Sequence, residues 1–403
     1  MPEISPFSAY RFNCSNNEIK NWICPPYDII PAELEKKLQK KRVNAIRIEL
    51  PKGSPETKYK NAAKIWQNWT KNGTVKEEES ECFYLYEQTF SAHGKKFSRH
   101  GFFCALKLEI PGGKAVLRHE LTLAKPKEDR MSLLNALNVN TSPIFGIFQD
   151  PKKIARNLFK LLTKKTPQVS FVDPEKIVHK MWTVSNSKVI EQLQKLIAKE
   201  SVLIADGHHR YETAWSYSKD NPNLEGARSA LFFLSPVGDT GLVVYPTHRI
   251  LLKEESLEGF LAKMDQSGCF EYKEVTNISS AIQSMSPFNF IVSDGKKHIL
   301  IHRSSLIKLK KLIPGKSIFS LQHPLVQIHS LLLPNYQKED FIYVHEEEEA
   351  LQLAKEKGKL TLIVPPTSIE HMYKIVQSGE VMPQKSTYFY PKIWSGLLFR
   401  SLV

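Results

Sequence analysis

The stretch Ser201-Val-Leu-Ile-Ala-Asp-Gly-His-His-Arg-Tyr-Glu-Thr-Ala214 decides the fold around it. Four apolar or small residues, 202–205, lead into Asp206-Gly207, and a helix-forming segment begins at about His208. This order predicts a strand, a tight turn and a helix. Glycine at position 207 permits a positive φ, and the first amides of a helix have no partners within the helix. The stretch therefore predicts an anion site at a helix N-terminus.

Four ionisable side chains crowd this turn: Asp206, His208, His209 and Arg210. The planar guanidinium of Arg210 suits phosphate oxygens, and the helix dipole adds to its charge. Successive helical residues point about 100° apart, so the two histidines are not expected to face one ligand together or to chelate one zinc ion. A transition-metal site would need another ligand such as His119. Magnesium needs few protein ligands, and Asp206 with phosphate oxygens could hold it. The alternative is a helix-capping aspartate with two solvated histidines.

The composition limits the class of protein. A chain of 403 residues is expected to form two or three domains or lobes. A hydrophobic fraction of 41% with 24% charged residues is ordinary for a soluble globular protein. No apolar run approaches the roughly 20 residues that span a bilayer, and the first residues lack the pattern of a signal peptide. Five scattered cysteines without a C-x-x-C pair predict a reduced, cytoplasmic protein.

The net charge of +14 would attract nucleic acid, acidic membranes or phosphorylated small molecules. The lysine clusters are short, however, as in Lys164-Lys165 and Lys308-Leu-Lys-Lys311. General lysine richness is therefore favoured over one specific partner, and nucleic acid is not excluded by charge. The sequence leaves the oligomeric state open and points to no membrane partner.

Hydrophobic periodicity outlines the remaining elements. Helices are expected over 33–38, 58–70, 127–138, 152–164, 186–199 and 368–377, and strands over 45–50, 83–90, 101–108, 230–234, 241–245 and 360–364. Because strands and helices mix without strict alternation, the pattern favours an α+β fold over a doubly wound parallel sheet. We expect an N-terminal α+β segment (1–150), a helical connector with the Asp206 turn (151–250) and a C-terminal α+β region (251–403).

Six segments together resemble the family catalogued as domain of unknown function 1015. They are Cys24-Pro-Pro-Tyr-Asp28; Arg118-His-Glu-Leu-Thr-Leu123 with Lys125-Pro-Lys127 and Asp129-Arg130; Asn140-Thr-Ser-Pro-Ile144; Ala205-Asp-Gly-His-His-Arg-Tyr-Glu212; Pro246-Thr-His-Arg249; and Met382-Pro-Gln-Lys-Ser-Thr387 with Phe389-Tyr-Pro-Lys392. The resemblance runs through almost the whole chain. That family has no settled activity.

More distantly, Asp206-Gly-His-His-Arg210 is similar to the nucleotide-contacting turn of the ParB/sulfiredoxin superfamily. That superfamily includes partition proteins that bind CTP, sulfiredoxins that use ATP, and kinases of free serine, whose turn is close to D-G-H-T-R. The resemblance implies a mixed-sheet ParB/sulfiredoxin-like core elaborated by N- and C-terminal segments. His209 departs from the serine-kinase pattern. No cysteine lies between Cys104 and Cys269, so sulfiredoxin chemistry is not expected.

Two further clusters are candidate site residues. In Arg118-His119-Glu120, Glu120 suits a general base and His119 a proton or phosphate partner, while the arginine suits phosphate; an exposed strand end is the alternative. Lys385-Ser386-Thr387 offers one cation and two hydroxyls, or simply closes the fold. It lacks the Gly-rich loop of a Walker motif. Asp28, presented after Pro25-Pro26, is the second candidate base, and His208 is a further catalytic candidate.

These residues favour a nucleotide-dependent enzyme, most simply a kinase-like phosphotransferase using ATP or another nucleoside triphosphate with Mg²⁺. Gly207 and the amides of 208–210 would cradle phosphate, Asp206 would hold the metal, and Glu120 or Asp28 would activate a small-molecule phosphate acceptor. The turn is expected to share one cleft with 118–120 and with 27–28 or 385–387. A non-catalytic, ParB-like nucleotide switch is the alternative. A nucleic-acid-binding protein or nuclease is a third possibility that rests only on net charge and distant analogy.

Overall fold

The computed structural model describes residues 1–122 and 124–403, and the side chains of 1–122, 127–356 and 358–403. Its strands are β1 (Ile4–Ser5), β2 (Tyr10–Phe12), β3 (Val75–Glu77), β4 (Phe83–Ala92), β5 (Lys95–Lys107), β6 (Val116–Leu117), β7 (Val139–Asn140), β8 (Ile144–Phe148), β9 (Val169–Val172), β10 (Val178–Val184), β11 (Val202–Asp206), β12 (Ser229–Pro236), β13 (Val243–Tyr245), β14 (His248–Leu251), β15 (Phe270–Glu274), β16 (Phe290–Ser293), β17 (His298–Arg303), β18 (Phe341–Val344), β19 (Thr361–Ile363), β20 (Tyr388–Tyr390) and β21 (Arg400–Ser401).

Its helices are α1 (Ile19–Trp22), α2 (Ala32–Gln39), α3 (Ile46–Glu49), α4 (Lys58–Lys71), α5 (Ala124–Leu137), α6 (Ile154–Leu162), α7 (Ser187–Ile197), α8 (His208–Asp220), α9 (Leu257–Ser267), α10 (Ile278–Gln283), α11 (Leu306–Leu312), α12 (Ile318–Gln322), α13 (Pro324–Gln327), α14 (Glu347–Lys357) and α15 (Ile369–Gln377). This mixture of helices and strands confirms the α+β class. No helix in the described part of the chain is long and apolar enough to cross a membrane.

The chain divides into two compact units. Unit 1 comprises Met1–Arg118, Thr122–Val243 and Pro391–Val403, and unit 2 comprises His119–Leu121 and Val244–Tyr390. Unit 1 thus draws on all three segments expected from the sequence. Each unit has its own sheet and its own apolar core.

The main sheet of unit 1 is mixed. Its strands lie in the order β6-β11-β8-β12-β5-β4-β10-β9, and β1 pairs with β5. The β6–β11 and β8–β12 pairs are parallel, and the other pairs are antiparallel. The core between this sheet and helices α6, α7 and α8 includes Phe102, Phe159, Leu193, Tyr211 and Phe232. Strand β11 and helix α8 are therefore anchored on both sides of the Asp206 turn.

Unit 2 has an antiparallel sheet in the order β15-β17-β16-β19-β14-β18. One apolar cluster, with Phe260, Phe290 and Leu362, packs on one face of this sheet, and a second cluster contains Ile250, Ile291 and Ile363. Residues on successive positions of a strand point to opposite faces. The sheet of unit 2 is therefore covered by apolar side chains on both faces.

The strand predicted over 45–50 is wrong, because Ile46–Glu49 is helix α3. The alternation of apolar and polar residues there is real, but the buried side chain of Asn44 overrides it. Its oxygen accepts from the Ile46 amide at 2.9 Å, and its nitrogen donates to the carbonyl of Ile23 at 2.9 Å. An asparagine that bonds the backbone two residues ahead starts a turn rather than a strand.

The segment 151–200 contains strands β9 and β10 between its two predicted helices. Hydrophobic periodicity does not predict these strands, because a polar residue, His179, occupies a core position in β10. Its ring bonds Asp173 Oδ2 at 3.0 Å and Tyr86 Oη at 2.5 Å, and it stacks on Phe171 with ring centres 4.5 Å apart. A buried histidine can make its hydrogen bonds inside the protein. A hydrophobicity pattern nevertheless treats it as an exposed residue.

Candidate active site at the Asp206 turn

The strand-turn-helix predicted from the sequence is present at Asp206. Strand β11 ends there, Gly207 adopts φ 92° and ψ 30°, and α8 begins at His208. The left-handed conformation favours glycine. A Cβ atom at position 207 would also lie 3.0 Å from the guanidinium carbon of Arg210. The glycine therefore lets the turn and Arg210 approach each other closely.

Two cationic side chains converge on the Asp206 carboxylate. Lys392 Nζ lies 2.5 Å from Oδ1, and Arg210 Nη2 lies 2.5 Å from Oδ2. The other guanidinium nitrogen of Arg210 donates to the carbonyl of Pro143. Burial alone would raise the pKa of Asp206, but the charges of Lys392 and Arg210 outweigh burial and lower it. The charges of Asp206, Arg210 and Lys392 sum to +1. This cluster is largely shielded from water, because the side chains of Arg210 and Lys392 are only 10% and 9% exposed.

Lys392 is the contact that sequence reasoning missed. It occurs in the segment Phe389-Tyr-Pro-Lys392, but 186 positions separate it from Asp206. No periodic pattern connects residues so distant in sequence. The sequence alone shows only that Lys392 follows Pro391 in this segment.

Tyr27 and Asp28 lie near the same turn. They occupy a 3-10 turn, Tyr27–Ile29, that follows Pro25-Pro26. Burial lowers the pKa of Arg210, but the charges of Asp206, Asp28 and Tyr27 outweigh it and raise the pKa. The Asp28 side chain is exposed. The structure therefore brings the second candidate base, Asp28, to the Asp206 turn within unit 1.

A buried network around Glu49 adjoins Tyr27. The Glu49 carboxylate, fully buried, accepts from Thr141 Oγ1 at 2.5 Å and from Ser142 Oγ at 3.1 Å. Arg130 lies 3.6 Å from Glu49 and 2.5 Å from Asp129, and its guanidinium is stacked 4.2 Å from the Tyr27 ring centre. The network holds the Tyr27 turn in place beside Arg210.

A partly open cavity of about 50 Å³ adjoins Arg210 and Arg130. Its polar walls are these two arginines with Asn140, Thr141, Ser142 and Thr213, and its apolar walls are Leu133, Leu134, Val139, Ile144, Ala214, Ala230 and Leu231. The cavity lies one helical turn further along α8 than Arg210. It was not foreseen from the sequence, because its walls come from four separate segments.

Arg118 is occupied elsewhere in unit 1. Its Nη1 donates to Glu212 Oε1 at 2.9 Å, and the other oxygen of Glu212 accepts from Thr122 at 2.5 Å and Lys127 at 3.0 Å. Burial alone would raise the pKa of Glu212, but these partners lower it. Arg118 thus pairs with a carboxylate of α8 that lies two residues after Arg210.

His119 and Glu120 belong to unit 2, together with the third predicted cluster. His119 Nε2 lies 2.9 Å from Thr387 Oγ1, and the Lys385 amide donates to Glu120 Oε1 at 3.0 Å. Lys385 adopts φ 56°, and the neighbouring hydroxyl of Ser386 donates to the carbonyl of Pro383 at 2.5 Å. Unit 2 therefore joins His119-Glu120 to 385–387, and unit 1 joins 206–210 to 27–28. The single cleft for all of them stays a prediction.

The surroundings of Asp206 do not fit a metal ion, because each of its carboxylate oxygens already bonds a cationic side chain. Among the residues that the structure describes, no group of three or more histidine, cysteine, aspartate or glutamate side chains forms a metal site. Magnesium with few protein ligands would instead be held mainly by phosphate oxygens.

Solved structures similar to this chain are distant. SbnI with a C-terminal truncation from Staphylococcus aureus has a TM-score of 0.40 and 11% identity, covering 73% of this chain and 85% of that one. A free serine kinase in complex with AMP has a TM-score of 0.35 and 16% identity, covering 70% and 90%. A conserved hypothetical protein from Pyrococcus furiosus has a TM-score of 0.35 and 17% identity, covering 70% and 92%. TM-scores this low assign neither fold nor function.

No curated protein matches the chain significantly. The model of one family, described as "Protein of unknown function (DUF1015)", matches residues 4–361. That match includes the turn at Asp206, the Tyr27 turn and the Glu49 network. The chain therefore belongs to the DUF1015 family of proteins of unknown function.

Proposed function

We propose that unit 1 binds the phosphates of a nucleotide at the start of α8, and that the protein is a nucleotide-dependent phosphotransferase acting on a small molecule. One observation carries this proposal. Two nearly buried cations, Arg210 and Lys392, share a single carboxylate at a glycine turn that opens a 13-residue helix. Buried positive charge in excess of its partner favours an anionic ligand.

The local electrostatics suit phosphate. The N-terminus of α8 carries the positive end of the helix dipole, equivalent to about half a unit charge. Gly207 lets a ligand reach the backbone, and the amides of His208, His209 and Arg210 lie in the first turn, where phosphates bind in other proteins. The guanidinium of Arg210 supplies a flat pair of donors. The kinship with the ParB/sulfiredoxin superfamily, proposed from the turn sequence, points the same way.

The proposed reaction transfers the terminal phosphoryl group of ATP or another nucleoside triphosphate. The acceptor hydroxyl oxygen forms a bond to that phosphorus, the bond to the β-phosphate oxygen breaks, and the nucleoside diphosphate leaves. The hydroxyl proton passes to a base. Asp28 is the base proposed here, because its exposed carboxylate lies beside Arg210 within unit 1. Arg210 and Lys392 stabilise the charge that develops on the phosphoryl oxygens.

The other predicted roles remain part of this proposal. Glu120 and His119 stay predicted as the alternative acid-base pair, His208 stays predicted as a further proton donor, and phosphate contacts stay predicted for Arg118, Lys385, Ser386 and Thr387. Magnesium would arrive on the triphosphate rather than on Asp206, and the steps assigned to the protein's side chains do not depend on it. A cytoplasmic location, predicted from the free cysteines, suits a triphosphate-dependent enzyme.

The first test is nucleotide affinity in Arg210→Ala, measured by calorimetry with ATP, GTP, CTP and UTP in turn. We expect affinity to fall by about 1.5–3 kcal/mol, which is the usual contribution of hydrogen bonds to charged groups. Arg156→Ala is the matched control. Arg156 is also the third residue of its helix, α6, and also bonds a preceding aspartate, Asp150, with Nε 3.4 Å from Oδ2. Equal affinity in the Arg210 variant and in the control would refute the phosphate site.

The second test separates an enzyme from a switch. Asp28→Asn keeps the shape of the side chain and removes the proton acceptor, so nucleotide affinity should hold while phosphoryl transfer falls by roughly 10²–10⁴. Transfer is followed as nucleoside diphosphate release across a panel of hydroxylated metabolites. Full activity would move the base to Glu120. Tight nucleotide binding without transfer to any acceptor would favour the non-catalytic switch, and salt-dependent binding of nucleic acid alone would favour the third class.

A further inference from the structure

The cavity beside Arg210 has walls of two kinds. Arg130 and Arg210 form its charged end, and most of the other walls are apolar side chains from α5, β7, β8, α8 and β12. Four uncharged polar residues complete the lining: Asn140, Thr141, Ser142 and Thr213. Each arginine already bonds a carboxylate. Arg210 bonds Asp206, and Arg130 bonds Asp129 and approaches Glu49. The remaining surface of the cavity is uncharged and mainly apolar.

Thr213 is a second, independent pointer to a ligand. It lines the cavity, it is 3% exposed, and within the described residues its hydroxyl has no hydrogen-bond partner. A buried hydroxyl left without a partner is unfavourable, so native proteins rarely retain one without a reason. Thr213 follows Arg210 by three positions and shares its face of α8. A molecule in the cavity would reach both side chains.

The dimensions limit what can enter. A water-sized group needs about 10–15 Å³ of such volume, so a cavity of about 50 Å³ admits roughly three to five non-hydrogen atoms. A nucleobase is too large. The apolar walls select a short carbon chain, and the Thr213 hydroxyl selects one polar atom on it.

We propose that this cavity is the acceptor subsite, and that the acceptor is an uncharged short-chain aliphatic alcohol or the corresponding end of a larger hydroxylated molecule. Its carbon chain lies among Leu133, Leu134 and Ile144, and its hydroxyl meets Thr213 Oγ1 and faces Arg210. The role as acceptor subsite rests on the proposed function, because Arg210 adjoins both the phosphate site and the cavity. The binding chemistry of the cavity does not depend on that function.

The test uses butan-1-ol as a probe, titrated by ligand-observed saturation-transfer NMR without nucleotide. We expect saturable binding to the full-length protein and weaker binding of butane-1,4-diol, which would place a second hydroxyl among the leucines. Thr213→Val has the same shape without the hydroxyl. It should weaken butan-1-ol binding about three- to tenfold, the usual effect of one hydrogen bond.

Thr247→Val is the matched control, because Thr247 is also buried and its hydroxyl also lacks a partner among the described residues, but it lies in unit 2. It should leave the probe affinity unchanged. Ala214→Leu, which fills the cavity, should abolish probe binding and retain nucleotide binding. No saturable binding to the wild type, or equal affinity in Thr213→Val, would overturn the proposal.

A competition experiment distinguishes failure of the acceptor subsite from failure of the proposed phosphate site. A non-hydrolysable ATP analogue should bind together with butan-1-ol, and competition between them would assign the cavity to the nucleotide and overturn the acceptor role. If the analogue does not bind the wild type at all, the phosphate site fails, and the acceptor role fails with it. The alcohol titrations alone then decide whether the cavity binds small molecules.

Discussion

At the scale of single residues, His100 on β5 shows how unit 1 stabilises a largely buried positive charge. Its Nδ1 lies 3.1 Å from Asp239 Oδ2, and its Nε2 lies 3.1 Å from Glu87 Oε2. Burial alone would lower the pKa of this imidazole. The hydrogen bonds and charges of Asp239 and Glu87 outweigh burial and raise the pKa to about 9. His100 is therefore a protonated part of the fold at neutral pH.

This pKa predicts how stability depends on pH. The folded pKa is above the unfolded value of about 6.5, so the contribution of His100 is complete below that value and is lost as pH rises through about 9. Because the ring is partly exposed, we expect a loss of about 1–3 kcal/mol. Urea unfolding from pH 6 to 10 should show this loss in the wild type and a smaller one in His100→Gln. Identical pH dependence in both chains would contradict a protonated His100.

At the scale of elements, the junction of β11 and α8 depends on one glycine. Gly207→Ala should cost about 1–2 kcal/mol of unfolding free energy from the left-handed backbone alone. It should also weaken nucleotide binding, because the new Cβ would lie 3.0 Å from the Arg210 guanidinium. Urea unfolding and calorimetry measure the two effects separately.

Gly94→Ala is the control for this prediction. Gly94, in the hairpin between β4 and β5, has φ 71°, and a Cβ there would meet no heavy atom within 4 Å. It should therefore show the backbone cost without any change in nucleotide affinity. If the two variants lost stability equally and bound nucleotide equally, the close approach of Gly207 and Arg210 would have no functional meaning.

Elements are also the scale at which sequence reasoning worked best. Helix α4, strands β4 and β5 and the turn at Gly207 each follow from a local pattern, and each was predicted. Helix α3 and strand β10 were not, because each contains or adjoins a buried polar side chain with a partner distant in sequence: Asn44 bonds Ile23, and His179 bonds Tyr86. The residues of the candidate site likewise fall into a group that the sequence identifies and a group that it does not. Asp206, Gly207 and Arg210 are neighbours in sequence, whereas Lys392 and the cavity walls come together only in the folded chain.

At the scale of the whole molecule, the last thirteen residues, 391–403, belong to unit 1 although unit 2 precedes them. Ser395 and Cys24 exchange backbone hydrogen bonds of 2.8 and 3.2 Å, and Phe399 and Tyr10 exchange two of 2.9 Å. We expect a chain ending at Tyr390 to lose hydrogen-exchange protection throughout unit 1 and to keep it in the sheet of unit 2. Mass spectrometry of deuterated fragments measures both.

The control for this truncation is a chain lacking only Val403, which is 81% exposed. It should exchange like the wild type in both units. Equal protection of unit 1 in the chain ending at Tyr390 would show that the returning segment is dispensable. Loss of protection in both units would show instead that unit 2 cannot hold its structure without a complete unit 1.

The chain returns to unit 1 after Val244–Tyr390 of unit 2, and this order limits when unit 1 can complete its folding during translation. Domains generally fold as the ribosome releases them, from the N-terminus onward. Tyr27, Asp206 and Arg210 precede Val244–Tyr390 of unit 2 in the chain, and Lys392 follows it. The ion pair between Lys392 and Asp206 therefore cannot form before that part of unit 2 has been translated, and the sheet of unit 2 can fold before this ion pair exists. A product that terminates before Lys392 would lack the ion pair.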